Sequence, residues 1–341
     1  MQTRAFITGL TGTAITPEER EFITEAQPWG LILFKRNIDT ASQIIALVTN
    51  FRDIVGRTDA PVLIDQEGGR VQRMGPPHWP SYPPGSAYGR LYDRDAAKGM
   101  AAARLGARLI ADDLVQVGIT VDCLPVADVP TKGADAVIGD RAYGETPEKV
   151  SALAGAAAAG LAEGGVLPVL KHIPGHGRAT ADSHAALPVV TATRAELEAS
   201  DFAAFRPLAG LPLAMTAHVV FTAIDPVSPA TTSAKMIQNV IRDGIGFQGL
   251  LMSDDISMGA LSGSLRERTR AALAAGCDVA LHCNGKLDEM REVAAESPLL
   301  AGEAARRAEA ALAARHTPEE IDIATARAQF AALMAEGAVT S

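Results

Sequence analysis

The sequence has few aromatic residues and no long apolar run. Aromatic residues make up only 4% of the 341 residues, whereas hydrophobic residues together make up 48%, so a large core must consist mainly of aliphatic and small side chains. Alanine-rich segments of this kind favour closely packed helices. No apolar run approaches the roughly 20 residues of a membrane-spanning helix, and the N-terminus lacks the pattern of a secretory signal.

Cysteine usage and net charge exclude further classes of protein. The three cysteines, Cys123, Cys277 and Cys283, are widely spaced and odd in number, so the sequence contains neither a disulfide framework nor a CxxC metal pair. This usage is typical of a reducing compartment, and we expect a cytoplasmic protein. The formal net charge of −9 argues against nucleic acid or an anionic membrane surface as the main partner.

Short apolar runs alternate with alanine-rich amphipathic segments along most of the chain. Most of these runs are apolar throughout, which is typical of parallel strands that are buried on both faces. The predicted strands are Ala5–Gly9, Gly30–Phe34, Pro61–Gln66, Thr120–Asp128, Leu167–His172, Leu213–Val219, Gly249–Asp254 and Val279–Cys283. This alternation predicts an α/β fold, a (β/α)8 TIM-type barrel, with residues 1–341 as one catalytic domain. The alternative is an open doubly wound sheet, although no GxGxxG sequence follows the first run.

Helices are predicted between the strands and in the C-terminal tail. The predicted helices are Thr40–Val55, Asp95–Gln116, Pro147–Glu163, Ala195–Phe205, Ala234–Arg242, Leu265–Ala274 and Leu287–Ala295. The tail, from about 301 to 335, is helical by composition, and Thr317 with Pro318 is expected to open its last helix. The proline-rich stretch Pro76–Pro84 predicts a rigid surface loop, because proline fixes φ and cannot donate to a ladder.

Polar side chains follow the third and fourth predicted strands, where parallel barrels carry their chemistry. The third run ends in IDQEGGRVQR, which places Asp65 at the strand end and Arg73 in the next segment. The pair is either a surface ion pair beside a glycine turn or a clamp for the hydroxyls of a ligand. Asp128 ends the fourth run and is either a site residue or a cap of the next turn, and we favour the cap. Arg141 lies in a glycine-flanked loop, where a lone arginine is usually solvated.

The fifth run carries the densest group of reactive side chains. Lys171 and His172 end the strand in VLPVLKHIPGHG, and His176, Asp182 and His184 follow. A metal site at His172 and His176 needs a helix, which the intervening proline and glycine oppose. The other interpretation is a catalytic dyad, in which the Asp182 carboxylate fixes the His184 tautomer so that the imidazole acts as acid or base. The alternative is that Asp182 and His184 are ordinary loop residues with no catalytic role.

The sixth and seventh runs also end in polar residues. His218 follows the sixth run and either lines the site or packs beneath a loop. The seventh run, GFQGLLMSDD, ends in Asp254 and Asp255. Two carboxylates at a buried strand end are costly unless satisfied, so one can cap the next segment while the other serves as nucleophile or base. Because neighbouring side chains on a strand point to opposite sides, only one is expected to face the barrel mouth.

Three sequences together, IDQEGGRVQR, KHIPGHG with DSH after it, and GFQGLLMSDD, resemble glycoside hydrolase family 3 in its β-N-acetylglucosaminidase branch. The resemblance runs in order from about residue 30 to residue 284. It implies a barrel and a retaining two-step mechanism, with Asp254 as nucleophile, His184 as general acid and base, and Asp182 as its orienting partner. It also implies a group of sugar-binding residues: Asp65, Arg73, Arg141, Lys171 and His172.

The resemblance also implies a substrate and a pathway. The substrate would be a β-linked cell-wall fragment with a terminal N-acetylglucosamine, particularly GlcNAc–1,6-anhydro-N-acetylmuramic acid with or without peptide, in peptidoglycan recycling. No metal or organic cofactor is implied, and we expect a monomer whose partner is a small carbohydrate. The sequence departs from the family's commoner pattern at Ile173, where phenylalanine is frequent, and at Arg178 beside the dyad. The alternatives are a phosphorylase of the same fold, a non-catalytic sugar-binding barrel and a metal-dependent hydrolase.

Overall fold

The computed structural model describes residues 3–179, 181–183 and 186–338. Within them, eight parallel strands form a closed barrel in which each strand pairs with the next along the chain and the last pairs with the first. The barrel strands are β1 (Arg4–Thr8), β2 (Pro28–Leu33), β3 (Val62–Ile64), β4 (Val121–Asp122), β5 (Leu167–Ile173), β6 (Leu213–Thr216), β7 (Leu250–Asp255) and β8 (Val279–His282). The predicted single-domain (β/α)8 barrel is confirmed, and all eight predicted strands coincide with barrel strands.

Helices surround the barrel, and short elements decorate its loops. The α-helices are α1 (Pro17–Ala26), α2 (Ala41–Val55), α3 (Gly85–Arg94), α4 (Ala96–Val115), α5 (Pro147–Glu163), α6 (Arg194–Ala199), α7 (Asp201–Phe205), α8 (Leu265–Ala275), α9 (Leu287–Glu296), α10 (Gly302–Ala313) and α11 (Ile323–Ala338). Short 3₁₀ segments lie at Lys35–Asn37, Gly139–Arg141, Arg206–Leu208 and Ala230–Thr232. Two small strand pairs join Gln66–Gly68 to Val71–Gln72 and Val189–Val190 to Val220–Phe221. No helix in these described ranges is long and apolar enough to cross a bilayer.

Two hydrophobic layers explain why the strands are apolar throughout. Along β1, Ala5 and Ile7 point into the barrel interior, whereas Phe6 points outward against the helices. Side chains alternate along a strand, so a barrel strand covered by helices needs apolar residues on both faces. The N-terminal end of the barrel is closed by α10, whose Ala308 and Ala311 join the interior cluster.

The fourth strand is much shorter than the predicted Thr120–Asp128. Only Val121–Asp122 pairs regularly, and the chain rejoins β5 through a single bridge between Val126 and Lys171. Pro125 has no N–H to donate to the ladder, which interrupts regular pairing at this point. The irregular segment after β4 brings Asp128 beneath the end of β5, where it meets His172.

The helices differ from the prediction in four places. Helices α1 and α3 were not predicted, although Thr16 forms a capping box with Glu19 at the start of α1. The predicted helix Ala195–Phe205 is divided at Ser200 into α6 and α7. The predicted α-helix Ala234–Arg242 is a π-helix, Met236–Ile245. An apolar pattern this short cannot distinguish an α-helix, with about 3.6 residues per turn, from a π-helix, whose turn is wider.

The prediction that Thr317 and Pro318 open the last helix is wrong. That helix begins at Ile323, and residues 315–322 are irregular. Their backbone groups bond to the barrel helices instead: Glu319 N donates to Glu163 O at 2.8 Å, and Arg108 Nη2 donates to Glu319 O at 2.7 Å. Tertiary hydrogen bonds therefore replace the helical ones that composition favoured.

Candidate active site

A cavity of about 340 Å³ opens at the carboxyl end of the barrel strands. It is lined by seven of the eight residues that the sequence predicted for the site, namely Asp65, Arg73, Arg141, Lys171, His172, Asp182 and Asp254. The eighth, His184, lies outside the described residues. A larger cavity of about 500 Å³ between α4 and α5 is mainly apolar, and its Arg104 and Glu163 pair with each other.

Five charged side chains form a continuous network along one wall of the cavity. Lys171 Nζ lies 2.9 Å from Asp65 Oδ1 and 2.6 Å from Glu67 Oε1. Arg73 Nη2 donates to Asp65 Oδ2 at 2.9 Å. Arg141 binds Glu67 in a bidentate pair, with Nε and Nη2 each 2.8 Å from a carboxylate oxygen. Arg141 is therefore not solvated, as a lone loop arginine would be, but is anchored by a buried carboxylate.

The network keeps its carboxylates ionised despite burial. Burial alone would raise the pKa of Asp65, but Lys171 and Arg73 outweigh it and hold this pKa well below its ordinary value. Burial opposes ionisation of Glu67 in the same way, yet Arg141 and Lys171 lower its pKa to about 2. Burial would lower the pKa of Lys171, but Asp65 and Glu67 raise it above its ordinary value. The wall thus presents fixed charges at neutral pH.

Glu67 is the site residue that the sequence analysis missed. It follows Asp65 by two positions in IDQEGGRVQR and is only 6% exposed. The strand pair Gln66–Gly68 with Val71–Gln72 forms the turn that carries it, and Gly68 has φ of 94°. A Cβ at Gly68 would lie 2.4 Å from Pro83 O, so the turn packs closely against the proline-rich loop. In the sequence, the available signal for Glu67 was a charged residue directly before the two glycines of the turn.

Asp254 and Asp255 end β7 in two different environments. Asp254 Oδ1 accepts from Asp255 N at 2.8 Å, and Asp254 N donates to Thr216 Oγ1 at 3.3 Å. Asp255 is occupied by its surroundings: Oδ1 accepts from Ser257 N at 3.0 Å and from Cys283 N at 3.2 Å, and Oδ2 accepts from Ser257 Oγ at 2.7 Å. Asp255 therefore shapes the turn, whereas Asp254 retains oxygen capacity toward the cavity.

The expectation that only one of the two aspartates faces the barrel mouth is wrong, because both line the cavity. The register between β7 and β8 shifts between Met252 and Asp255. A shift of this kind breaks strict alternation, and it occurs often beside active sites. Hydrogen bonding, not strand alternation, distinguishes Asp254 from Asp255.

Histidines surround Asp254 and favour its ionised form. Burial would raise the pKa of Asp254, but His218, His172 and the N–H of Asp255 lower it below its ordinary value. His218 is fully buried, with Nδ1 2.7 Å from Thr231 Oγ1 and Nε2 3.0 Å from Asp255 O. Its pKa is lowered by burial. Of the two alternatives for His218, the structure supports packing beneath a loop, because this residue is fully buried and does not line the cavity.

Asp128 orients the histidine that ends β5. Its Oδ2 lies 2.7 Å from His172 Nδ1, and its Oδ1 accepts from His176 N at 2.7 Å. The prediction that Asp128 caps the turn after its own strand is wrong, because both contacts are with residues at and beyond the end of β5, and the first makes Asp128 a partner of a cavity residue. Because Nδ1 faces Asp128, Nε2 is the His172 nitrogen left for a ligand.

Side-chain hydrogen bonds hold the segment after β5 in place, both before the DSH sequence and at its serine. His176 Nε2 lies 3.0 Å from Ser183 Oγ, and Arg178 Nε lies 2.5 Å from Asp201 Oδ2. Burial and the neighbouring His172 lower the pKa of His176, so its ring is neutral at pH 7. Within the described ranges, no three His, Cys, Asp or Glu side chains are arranged to hold a metal ion.

Comparisons with known proteins identify the family. The family model for the glycosyl hydrolase family 3 N-terminal domain matches residues 4–312. A β-hexosaminidase of Alkalilimnicola ehrlichii is 41% identical over 280 residues, which cover 81% of this chain and 79% of that protein. A β-hexosaminidase of Methylococcus capsulatus is 40% identical over 279 residues, covering 81% of each. The crystal structure of NagZ from Neisseria gonorrhoeae in complex with N-trifluoroacetyl-D-glucosamine has a TM-score of 0.85 and 31% identity, and covers 99% of this chain and 98% of that one.

The motifs, the barrel and the cavity at its mouth thus coincide with a family match over most of the chain. The chain belongs to glycoside hydrolase family 3, and within that family it is a β-N-acetylhexosaminidase.

Proposed function

We propose that this enzyme is an exo-acting, retaining β-N-acetylglucosaminidase that uses Asp254 as its nucleophile. One observation carries the proposal: at the cavity, the Asp254 carboxylate has free acceptor capacity, whereas the neighbouring Asp255 carboxylate is occupied by hydrogen bonds. The nearby histidines lower the pKa of Asp254, which favours its ionised form. A carboxylate with a lowered pKa is a competent nucleophile at neutral pH. The proposal extends to residues 1–341 acting as one catalytic unit and as a monomer.

The proposed reaction has two steps. In the first, an Asp254 oxygen attacks the anomeric carbon, the glycosidic C–O bond breaks, and His184 gives its proton to the leaving oxygen. In the second, His184 takes a proton from water, the water oxygen bonds to the anomeric carbon, and the ester bond breaks to return the Asp254 carboxylate. Asp182, which lines the cavity, would orient His184 and stabilise its charged form.

The charged wall of the cavity supports sugar binding in this proposal. Asp65, Arg73, Lys171 and His172 provide acceptors and donors for a ring of hydroxyls, while Arg141 is held at the edge by Glu67. Arg73 Nε is buried and has no hydrogen-bond partner among the described residues. Because this nitrogen has no solvent contact, a sugar hydroxyl would have to meet the accessible part of the Arg73 side chain, which is 26% exposed.

For the natural substrate we propose GlcNAc–1,6-anhydro-N-acetylmuramic acid, with or without peptide, in cytoplasmic peptidoglycan recycling. The crystallised NagZ of Neisseria gonorrhoeae binds N-trifluoroacetyl-D-glucosamine, which supports an acetamido sugar in the cavity. The muramic portion carries a carboxylate near the leaving oxygen. If the general acid were a glutamate, its carboxylate form would be repelled by this like charge, whereas a histidine would not be.

The test of the proposed function is identification of the residue that bonds to the sugar. The Asp254→Asn variant should hydrolyse a chromogenic β-N-acetylglucosaminide at least about a thousandfold more slowly, since it lacks an ionised nucleophile. A 5-fluoro N-acetylglucosaminyl fluoride should label the wild-type enzyme, and peptide mapping should place the label on Asp254. Label on Asp255 would contradict the proposal, and sugar 1-phosphate released upon addition of phosphate would identify a phosphorylase instead.

A further inference from the structure

Ser183 lies between Asp182 and His184 in the sequence, and it is held from two sides. Its side chain is buried, with only 3% of the residue exposed. Its hydroxyl lies 3.0 Å from His176 Nε2. Its carbonyl oxygen accepts a hydrogen bond from Ala260 N at 3.1 Å. A loop residue at a barrel mouth ordinarily bonds to water, so a buried serine with both groups engaged needs a structural reason.

The first anchor, His176, is itself rigidly placed. Its backbone N–H donates to Asp128 Oδ1 at 2.7 Å, and the same carboxylate holds His172 Nδ1 at 2.7 Å. The His172 and His176 rings are in edge contact, with centroids 5.8 Å apart. The hydroxyl of Ser183 is therefore connected through His176 and Asp128 to His172, a residue of the cavity wall.

The second anchor belongs to the loop that follows the proposed nucleophile. Ala260 is buried and lies six residues after Asp254 in the chain. The turn between them is closed by Met258 N, which donates to Asp255 O at 3.1 Å, and Met258 lines the cavity. Ser183 thus joins the loop after β5 to the loop after β7.

We propose that Ser183 is a positioning residue that holds the segment around Asp182 at a set distance from Asp254. The inference rests on the proposed function, in which this segment supplies the general acid and base. Consecutive Cα atoms are only about 3.8 Å apart, so a restraint on Ser183 also limits the neighbouring Asp182. The hydroxyl contributes through His176, and the backbone carbonyl contributes through Ala260.

The consequence is a specific kinetic defect when the hydroxyl is removed. One net hydrogen bond corresponds to a change of about three- to tenfold in an equilibrium, so Ser183→Ala should populate displaced arrangements of the segment to that extent. Protonation matters most for a poor leaving group, such as the second sugar of chitobiose. A dinitrophenolate leaves without protonation, so its departure should be insensitive to the position of the acid.

The experiment compares kcat/KM on these two substrates, because this ratio reports the first irreversible step and so excludes the later attack of water. Ser183→Ala should lower kcat/KM for chitobiose about tenfold, yet by less than about twofold for the 2,4-dinitrophenyl glycoside. Ser183→Thr keeps the hydroxyl and should restore activity on chitobiose. The matched control is Ser151→Ala on α5, where the hydroxyl donates only to Glu148 O at 3.1 Å, and neither substrate should be affected.

Two results would overturn the inference: equal losses on both substrates, which is what a general loss of folded enzyme produces, or no loss on either. Thermal unfolding of each variant separates loss of fold from loss of position. His184→Ala distinguishes this inference from the proposed function. If His184→Ala spares the dinitrophenyl glycoside and Ser183→Ala does not, only the role of Ser183 is wrong. If His184→Ala shows no difference between substrates, the proposed acid is wrong.

Discussion

Among individual residues, Glu67 shows most clearly how burial and pairing determine the site. It is 74 positions from Arg141 in the chain, yet it binds the guanidinium in a bidentate pair and also contacts Lys171. A buried ion pair adds little stability compared with an apolar pair, but removing one partner leaves an uncompensated charge. Glu67 therefore positions Lys171 and Arg141. We expect these two side chains, and not Glu67 itself, to contact the sugar.

Replacing Glu67 with glutamine should lower both stability and activity. The amide preserves the shape of the side chain but not its charge, so Lys171 and Arg141 lose an anionic partner. We expect the free energy of unfolding at pH 7 to fall by about 3 kcal/mol. We expect kcat/KM to fall at least about tenfold, because both cations shift within the cavity. Denaturant unfolding and steady-state kinetics measure the two effects.

The control for this variant is Asp140→Asn, which breaks the exposed ion pair with Arg70, both side chains being 48% exposed. That change should cost less than about 1 kcal/mol.

The pH dependence gives a second check. The pKa of Glu67 is lowered to about 2 in the fold, from about 4.3 in an unfolded chain.

A lowered pKa means that the stabilisation by the Glu67 carboxylate is complete above about pH 4.3 and is lost as the pH falls toward about 2. The stability difference between wild type and Glu67→Gln should therefore shrink over this range. A difference that stays constant down to about pH 2.5 would show that the charge of Glu67 is not the cause.

Among the structural elements, the loops after the strands are held near the cavity, and with them the proposed catalytic groups, through close backbone contacts. A Cβ at Gly177, in the loop after β5, would lie 2.1 Å from the backbone oxygen of Val129, in the segment after β4. The two segments are also joined by a hydrogen bond from Thr131 N to Gly177 O at 3.2 Å. Glycine is needed at position 177 because of this close approach, and its φ does not require it.

Gly177→Ala should push the loop after β5 away from the loop after β4. Overpacking of this kind costs about 1 to 3 kcal/mol, and we expect kcat/KM to fall at least about tenfold because Asp182 lies farther along the same loop. Thermal unfolding and kinetics measure these effects. Gly210→Ala is the matched control, since a Cβ there meets nothing within 4 Å. Equal activity of the two variants would show that the approach to Val129 does not position the loop.

In the molecule as a whole, stability and chemistry lie at opposite ends of the barrel. The cavity opens at the carboxyl ends of the strands, while the opposite end is closed by α10 and a buried ion cluster. There Asp278 Oδ2 binds Arg242 Nη2 at 2.8 Å and accepts from Leu251 N at 2.8 Å, and Asp278 Oδ1 binds Arg307 Nη1 at 3.0 Å. Arg307 belongs to α10, so this cluster attaches α10 to the barrel.

Asp278→Asn should therefore destabilise the enzyme without changing its chemistry. Removing the only carboxylate that pairs with the buried Arg242 in the described structure should lower the free energy of unfolding by about 3 kcal/mol. The kcat/KM of the folded enzyme should be unchanged, because the N-terminal face of such barrels serves stability. Asp288→Asn is the control, since its side chain is 99% exposed and should cost less than about 0.5 kcal/mol. A lower kcat/KM at full folding would contradict this separation of the two ends.

The sequence by itself determined the barrel, the order of its strands and the strand ends that carry chemistry. Both faces of each strand are buried, so apolar runs mark the strands directly, and carboxylates or histidines at their ends stand out. These are local patterns, readable within a few residues. Even the unpredicted α1 has its capping signal in the sequence at Thr16 and Glu19.

Only the tertiary structure decided which polar groups act together. The local pattern alone does not separate Asp254 from Asp255, and in the structure the difference lies in the hydrogen bonds that Asp255 makes with Ser257 and Cys283. Glu67 and Asp128 gained partners from distant parts of the chain, at separations of 74 and 44 positions. The physical reason is that a charge's partners depend on distance in space, and a closed barrel brings together strand ends that are far apart in the chain.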